Sequence, residues 1–230
     1  MAQQLQSLVL AQRRLLHDVS HELRSPLARL QAAIGLARQD PAKLEPSLER
    51  IEREAIRLDE MVGEVLTLAR LESGTAAPAK DKVDLGHLVA SIAEDARFEA
   101  QASGRRLSFR GNGDVSVIGN AELLHRAVEN VVRNAVKFTR EGTAVEVELR
   151  SARDAAVISV RDHGPGVAPA ELEKVFDPFY RGEGASGATG FGLGLAIARR
   201  AIDAHGGTIR ASNAPAGGLQ VEIELALAPS

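Results

Sequence analysis

The chain has 230 residues, 44% of them hydrophobic and 26% charged, which is room for one large domain or two small ones of ordinary globular composition. Its 28 basic and 31 acidic residues give a net charge of -3, so no positive excess marks a nucleic-acid or anionic-membrane surface. The absence of Cys excludes disulfides, thiol nucleophiles and Cys-based zinc sites, and no apolar run reaches the roughly 18 to 20 residues that span a bilayer.

In chain order, the first predicted element runs from Val9 to Ala37 along a seam of Val9, Gln12, Leu16, Val19, Leu23, Pro26, Leu30, Ala33 and Ala37. The spacing alternates three and four, which is the heptad pattern of a helix packed on another helix. A second seam passes through Leu44, Leu48, Ile51, Ala55, Leu58, Val62, Val65 and Ala69, with charged residues such as Glu49, Arg50, Glu52, Arg53, Glu54 and Arg57 off it. Asp40 and Pro41 between them suit a helix stop and a helix start, so the two helices are expected to fold back as an antiparallel hairpin. Seams this long and apolar call for more partners than one hairpin supplies, and a second copy would complete a four-helix bundle as a homodimer. Pro26 should bend or loosen the first helix, because it removes a backbone hydrogen bond and crowds the carbonyl of Glu22. His21 stands two residues after Val19 and two before Leu23, on the solvent side.

Residues 1–74 therefore read as a helical hairpin and 75–82, small, Pro-containing and charged, as a linker. The second domain, 83–230, mixes helical patterns (about 85–103, 120–138 and 192–205) with the alternating stretches RLSFR, VSVIG, AVEVELR, AAVISVRD, GTIRAS and LQVEIEL. That alternation predicts half-buried strands of a largely antiparallel sheet with helices on its other face, an α+β sandwich.

Three clusters in this domain carry chemistry. VRDHGPGV (160–167) places Asp162 at a strand end with Gly164 and Gly166 in the turn after it, which taken alone is ordinary turn chemistry. GFGLGLAIARR (190–200) alternates Gly190, Gly192 and Gly194 ahead of a helical run, an arrangement in which backbone N–H groups can converge on a phosphate. It has neither the Rossmann spacing nor a Walker A lysine. In NVVRNAVKFT (130–139), Asn130 and Asn134 share a helical face and Lys137 lies three residues further along it. Amide oxygens suit a hard cation such as Mg²⁺ shared with substrate phosphates, and the lysine supplies a point charge for them.

The order of N-x-x-x-N-A-x-K-F-T, D-x-G-P-G-V, F-D-P-F-Y-R (176–181) and G-x-G-L-G-L-A-I resembles the N, G1, F and G2 boxes of the sensor histidine kinases, whose ATP-binding domain belongs to the GHKL superfamily. SHELRSPL resembles the H box of the same family. The resemblance covers the chain from about residue 13, and five boxes in order make it specific.

The resemblance implies that ATP and Mg²⁺ are bound and that His21 is the phosphoacceptor, with the adjacent Glu22 orienting the imidazole and taking its proton. It implies that Ser25, where the family often has Thr or Asn, places the water that dephosphorylates a partner. Asp162 would bind the adenine amino group, Asn130 and Asn134 would meet Mg²⁺ and the phosphates, and Lys137 would contact phosphate. The resemblance also places Gly164 and Gly166 in the nucleotide site, with Phe176, Arg181 and Leu193 expected to complete it. Gly190, Gly192 and Gly194 would let the backbone wrap the triphosphate, and RGEGASGAT (181–189) would be the mobile lid. Two positions depart from the family pattern: Phe191 where Thr is common and His163 where Asn is common.

An aspartate of a response-regulator protein would then take the phosphoryl group. The resemblance further implies the cytoplasmic portion of an inner-membrane sensor, linked to the membrane only through an N-terminal sensing part beyond this sequence. The alternatives are a degenerate dimeric scaffold, against which the intact Asn134, Lys137, Asp162 and glycines argue, and a gyrase-like or mismatch-repair GHKL ATPase. The latter usually has a Glu where Asn130 stands and lacks the H-box hairpin. His17, one turn before His21, competes for the acceptor role and is read, like His87, His125 and His205, as a solvated surface residue.

Overall fold

The computed structural model describes residues 2–73, 81–111, 115–182 and 190–229, the side chains of 2–16 excepted. It divides into two compact units, 1–67 and 68–230.

The first unit is the predicted hairpin. Helix α1 (Ala2–Gln39) and helix α2 (Leu44–Glu72) are joined by a single 3-10 turn, Pro41–Lys43. Asp40 caps that turn by accepting a hydrogen bond from the Ala42 N–H at 3.0 Å, and Pro41 occupies the first position, where no N–H is needed. Helix α1 continues through Pro26 to Gln39, so the proline does not end it. Pro26 is buried on the seam, as is Ala33.

The second seam lies elsewhere than its periodicity suggests. Ser47, Met61 and Leu68 are buried and Ile51, Glu54, Leu58 and Val65 half-buried, while Leu48, Ala55, Val62 and Ala69 of the expected seam are exposed. Two adjacent stripes on α2 carry apolar residues at heptad spacing, and period alone does not say which one faces α1. A glutamate inside the observed seam settles the register. Glu54, its side chain only 12% exposed, meets Arg29 of α1 in a two-pronged ion pair, Nε–Oε1 at 2.7 Å and Nη2–Oε2 at 2.9 Å. The hydrogen bond from Arg29 holds the Glu54 carboxyl below the ordinary glutamate range, and the same bond raises the guanidinium.

Because the folded state holds Glu54 ionised to lower pH than the unfolded chain does, the pair's contribution is complete above the ordinary glutamate range. It is lost as pH falls through the depressed value. Glu54→Gln should therefore lower the thermal midpoint of the hairpin at pH 7 and flatten its decline in acid, measured by helix dichroism from pH 7 to 3.

The second unit is a two-layer sandwich. A five-stranded sheet has the order β2 (Arg106–Gly111), β4 (Ala144–Ala152), β5 (Ala155–Arg161), β7 (Leu219–Ala226), β6 (Thr208–Asn213). Its inward residues, among them Val145, Val147, Ile158, Val160, Val221 and Ile223, pack against the apolar stripes of helices α3 (Leu85–Ala102), α4 (Ala121–Phe138) and α5 (Gly194–Ala204). The outward residues of β4 and β7 are largely charged, with Arg150 and Glu222 paired at 3.5 Å. Strands β1 (Asp81–Asp84) and β3 (Ser116–Gly119) form a separate antiparallel pair.

Two features differ from the sequence reading. Strand β2 pairs with β4 in parallel, the crossover between them containing α4, whereas the other pairings in this sheet are antiparallel. Strand alternation reveals which face is buried but not the direction of the neighbour. Asp81 and Lys82 of the expected linker belong to β1, and 74–80 lie outside the described residues.

Candidate functional site

Helix α4 starts at Asn120, whose side chain accepts from the Leu123 N–H at 3.1 Å. Leu124, Ala127, Val128, Val131, Val132, Ala135 and Val136 bury its core face. Asn130, Asn134 and Lys137 are left half-buried on another face. At the start of α5, a Cβ built on Gly194 would lie 3.2 Å from Asn130 Oδ1, and one on Gly190 would lie 3.2 Å from Lys137 Nζ. The fold thus brings the N-box side chains against the backbone of the G2 turn, across a long stretch of sequence. The N-cap position of α5 is Leu193, which makes no side-chain capping bond among the described residues. First-turn amides beside an ammonium group can receive an anion.

Asp162, 3% exposed, stands just past the end of β5. Its Oδ1 accepts from the Gly164 N–H at 2.7 Å and from the Leu219 N–H at 3.1 Å, while its own N–H donates to the Leu219 carbonyl at 2.9 Å. No bond to Oδ2 occurs among the described residues. Burial pushes the carboxyl above the ordinary aspartate range, and the two backbone bonds oppose that shift. A buried carboxylate with one oxygen fixed to backbone and the other open suits a ligand amino group.

Three residues that shape this corner have no role assigned in the sequence reading, although Thr139 closes the N-box motif. The Thr139 hydroxyl, buried at the end of α4, accepts from the His163 N–H at 3.1 Å and so ties that helix to the G1 turn. The Asn213 amide, on β6, accepts from the Val167 N–H at 2.9 Å and donates to its carbonyl at 2.6 Å. Gly218 has φ +91°, and a Cβ there would lie 1.9 Å from the Asp162 carbonyl oxygen. The adjacent pair Gly217 and Gly218 is a turn signal that could have been read, but nothing local links it to Asp162. Gly218→Ala should destabilise this unit by roughly 2 to 6 kcal/mol, the sum of positive-φ strain and overpacking. A denaturant titration followed by dichroism checks the value.

The F box contributes framework. Phe176 is buried in the core with the Arg199 guanidinium 5.2 Å from its ring centre, which anchors the segment. Phe179, held at φ +61°, donates its N–H to the Gly192 carbonyl at 2.9 Å, which joins the F and G2 boxes through backbone. Leu193 is fully buried and Arg181 exposed. Gly164 packs on the Phe138 carbonyl and Gly166 on the Asn213 amide oxygen. Of the expected lid, 183–189 lie outside the described residues. His163 pairs with Glu146 at 3.1 Å, and Phe191 is buried.

On the hairpin, His17 and His21 are both exposed, their rings edge to face with centres 4.5 Å apart. Glu22 is half-buried and Ser25 exposed. His205 departs from the solvated reading. Its Nε2 accepts from the Asn120 N–H at 2.9 Å and its Nδ1 lies 2.6 Å from the Ala201 carbonyl, which fixes the neutral tautomer with the proton on Nδ1.

The aliphatic α/β sandwich with a buried aspartate and a glycine-led helix beside two asparagines and a lysine falls, by its family match, in the GHKL class of ATPase domains, here preceded by a histidine-bearing helical hairpin. Residues 119–229 match the family model described as histidine kinase-, DNA gyrase B- and HSP90-like ATPase, and residues 11–74 match that of the His Kinase A (phospho-acceptor) domain. The chain is 40% identical over 228 residues to the sensor histidine kinase CpxA of Escherichia coli K12, covering 97% of this chain and 49% of that protein. It also resembles the solved structure of a mycobacterial sensor histidine kinase, MprB, at 30% identity and TM-score 0.58, covering 66% of this chain and 99% of that one. The full-length ShkA structure, in complex with AMPPNP, is 27% identical with TM-score 0.69 and covers 95% of this chain and 46% of that one. The chain belongs to the sensor histidine kinase family, and it spans about half the length of the curated relatives it matches.

Proposed function

We propose that the chain is the core of a sensor autokinase that phosphorylates His21 with ATP and relays the group to an aspartate of a response regulator, against which it also acts as a phosphatase. The observation that carries this reading is the joint presence, on one chain, of an exposed H-box histidine and an anion-receiving helix end flanked by Asn130 and Lys137. A ring nitrogen of His21 attacks the γ-phosphorus, the bond to the bridging oxygen breaks, and ADP leaves with that electron pair. The proton on the other ring nitrogen passes to Glu22, leaving phosphohistidine with an uncharged ring and an anionic phosphoryl group. Asp162 would hold the adenine amino group through Oδ2. Gly190 to Gly194 and the first amides of α5 would surround the phosphates, with Lys137 as point charge.

Asn130 and Asn134 would present hard oxygens to Mg²⁺, whose role is to neutralise charge on the transferring phosphates. Among the described residues no group of three His, Cys, Asp or Glu side chains is placed to hold a metal, so phosphate and water would supply the remaining ligands. Phe176 and Leu193 act through packing, and Arg181 stands where it could meet the nucleotide from the F box.

Leu44, Leu48, Val62 and Leu66 form an exposed apolar stripe on α2, and Leu27 and Ile34 are exposed on α1. A second copy covering these faces would give the four-helix homodimer, with residues 1–74 as dimerisation hairpin, 75–82 as connection and 83–230 as catalytic domain. Placement as the cytoplasmic core of a larger inner-membrane sensor is part of the same proposal. Among the described residues no helix is long and apolar enough to cross a membrane.

The test is incubation with γ-labelled ATP and Mg²⁺, followed by addition of a panel of receiver proteins. Label that is lost in acid, and that moves to one receiver, supports the relay. Release of phosphate with no label on the chain would make it an ATPase of another branch.

A further inference from the structure

We infer that Arg29 is a positioning residue for dephosphorylation of the regulator: its guanidinium, held by Glu54, fixes the Ser25 hydroxyl one turn from His21. The inference rests on the proposed phosphatase reading of Ser25.

Three side chains from two helices meet here. Arg29 Nη1 donates to Ser25 Oγ at 2.6 Å, while Nε and Nη2 of the same group donate to the two oxygens of Glu54 at 2.7 and 2.9 Å. A guanidinium is planar, so binding Glu54 along one edge sets the direction of the remaining nitrogen. That nitrogen points at Ser25. The Glu54 side chain is only 12% exposed and Arg29 33%, so the fork is partly shielded from water, unlike the exposed pair of Arg53 and Glu49.

The consequence for Ser25 concerns its rotor. A helical serine is free to swing its hydroxyl or to bond back to the carbonyl four residues before it. With Arg29 donating into one lone pair, Oγ is held in place, and its second lone pair and its hydrogen remain for other partners. The Ser25 hydroxyl makes no other hydrogen bond among the described residues, and the residue is exposed. A water donating to that second lone pair has its own lone pair directed outward, toward a docked phosphoaspartate. The water oxygen bonds to phosphorus, the bond from phosphorus to the aspartyl oxygen breaks, and the carboxylate leaves with the electron pair. Both water protons depart on the phosphate as H₂PO₄⁻. Preorganising the nucleophile is the kind of contribution that phosphoryl transfer rewards.

The anchor of the fork is on α2 while its target is on α1. A shift of α2 along α1 would carry Glu54, and with it the guanidinium, away from Ser25. Dephosphorylation would then respond to helix register, whereas attack by the His21 ring needs no Arg29.

The test uses the whole chain and the receiver protein that takes label from it. Autophosphorylation of the chain and loss of label from isolated phospho-receiver are measured for wild type, Ser25→Ala, Arg29→Gln, Glu54→Gln and the charge swap Arg29→Glu with Glu54→Arg, each with its thermal midpoint. The expected result is a ratio of dephosphorylation to autophosphorylation roughly tenfold or more below wild type in Ser25→Ala, Arg29→Gln and the swap, about the value of one charge-assisted hydrogen bond. The swap restores an ion pair between the helices but puts no donor beside Ser25, so recovery of the ratio in the swap would reduce Arg29 to a structural tie and overturn the inference. A ratio in Arg29→Gln equal to wild type, with Ser25→Ala impaired, would overturn it while leaving the phosphatase reading intact. No acceleration of label loss by the wild-type chain would overturn both.

Discussion

His21→Ala is expected to abolish acid-labile labelling by γ-labelled ATP, while His17→Ala keeps most of it. The two imidazoles are neighbours on one face, both exposed and edge to face, so position alone does not separate them. Their surroundings do. Each is followed by a half-buried carboxylate, Asp18 after His17 and Glu22 after His21, but only the turn after His21 carries a serine, Ser25, fixed by Arg29. The next turn after His17 is His21 itself. Both substitutions alter an exposed helix position, where alanine is at least as good a helix former, so neither should lower stability. Label counted after acid and after alkali treatment distinguishes phosphohistidine from a phosphoester, and persistent label in His21→Ala would move the acceptor elsewhere.

Asp162→Asn should cost nucleotide affinity by roughly 10- to 100-fold, the range for a hydrogen bond involving a charged group, with little effect on the fold. The amide oxygen can replace Oδ1 in accepting from Gly164 and Leu219, because both of those partners are donors. That choice forces the NH₂ group into the place of Oδ2, where it meets the ligand's amino group donor to donor. Wild-type affinity should in addition weaken in acid at a higher pH than an ordinary aspartate would give, since burial raises this carboxyl and protonation removes an acceptor. The sign for folding is opposite to that of Glu54: a raised carboxyl favours the fold as pH falls toward its value, so acid should loosen nucleotide before it loosens the domain. Calorimetric titration with a non-hydrolysable ATP analogue at pH 7 and 5 checks both statements. Equal affinities for wild type and Asp162→Asn would remove Asp162 from the adenine site.

The anion end of the site has a different physical basis. The donors proposed there are the first backbone amides of α5 and the Lys137 ammonium near Gly190, so substitution of single side chains should erode affinity gradually rather than eliminate it.

Much of this protein is determined by local sequence. The heptad runs, the Asp40–Pro41 break, the alternating strands and the glycine-spaced boxes each depend on residues within a turn or a strand of one another, and the elements form where those patterns stand. What only the tertiary structure decided involves partners far apart in the chain. It set which apolar stripe of α2 faces α1, drawing Glu54 onto Arg29 and leaving Leu48 and Val62 outside. It ran β2 parallel to β4, and it made Thr139, Asn213 and Gly218 part of the corner that holds Asp162. The physical reason is that side-chain period encodes a face, while register, strand direction and the placing of one carboxylate depend on the packing of whole layers, which no short window of sequence contains.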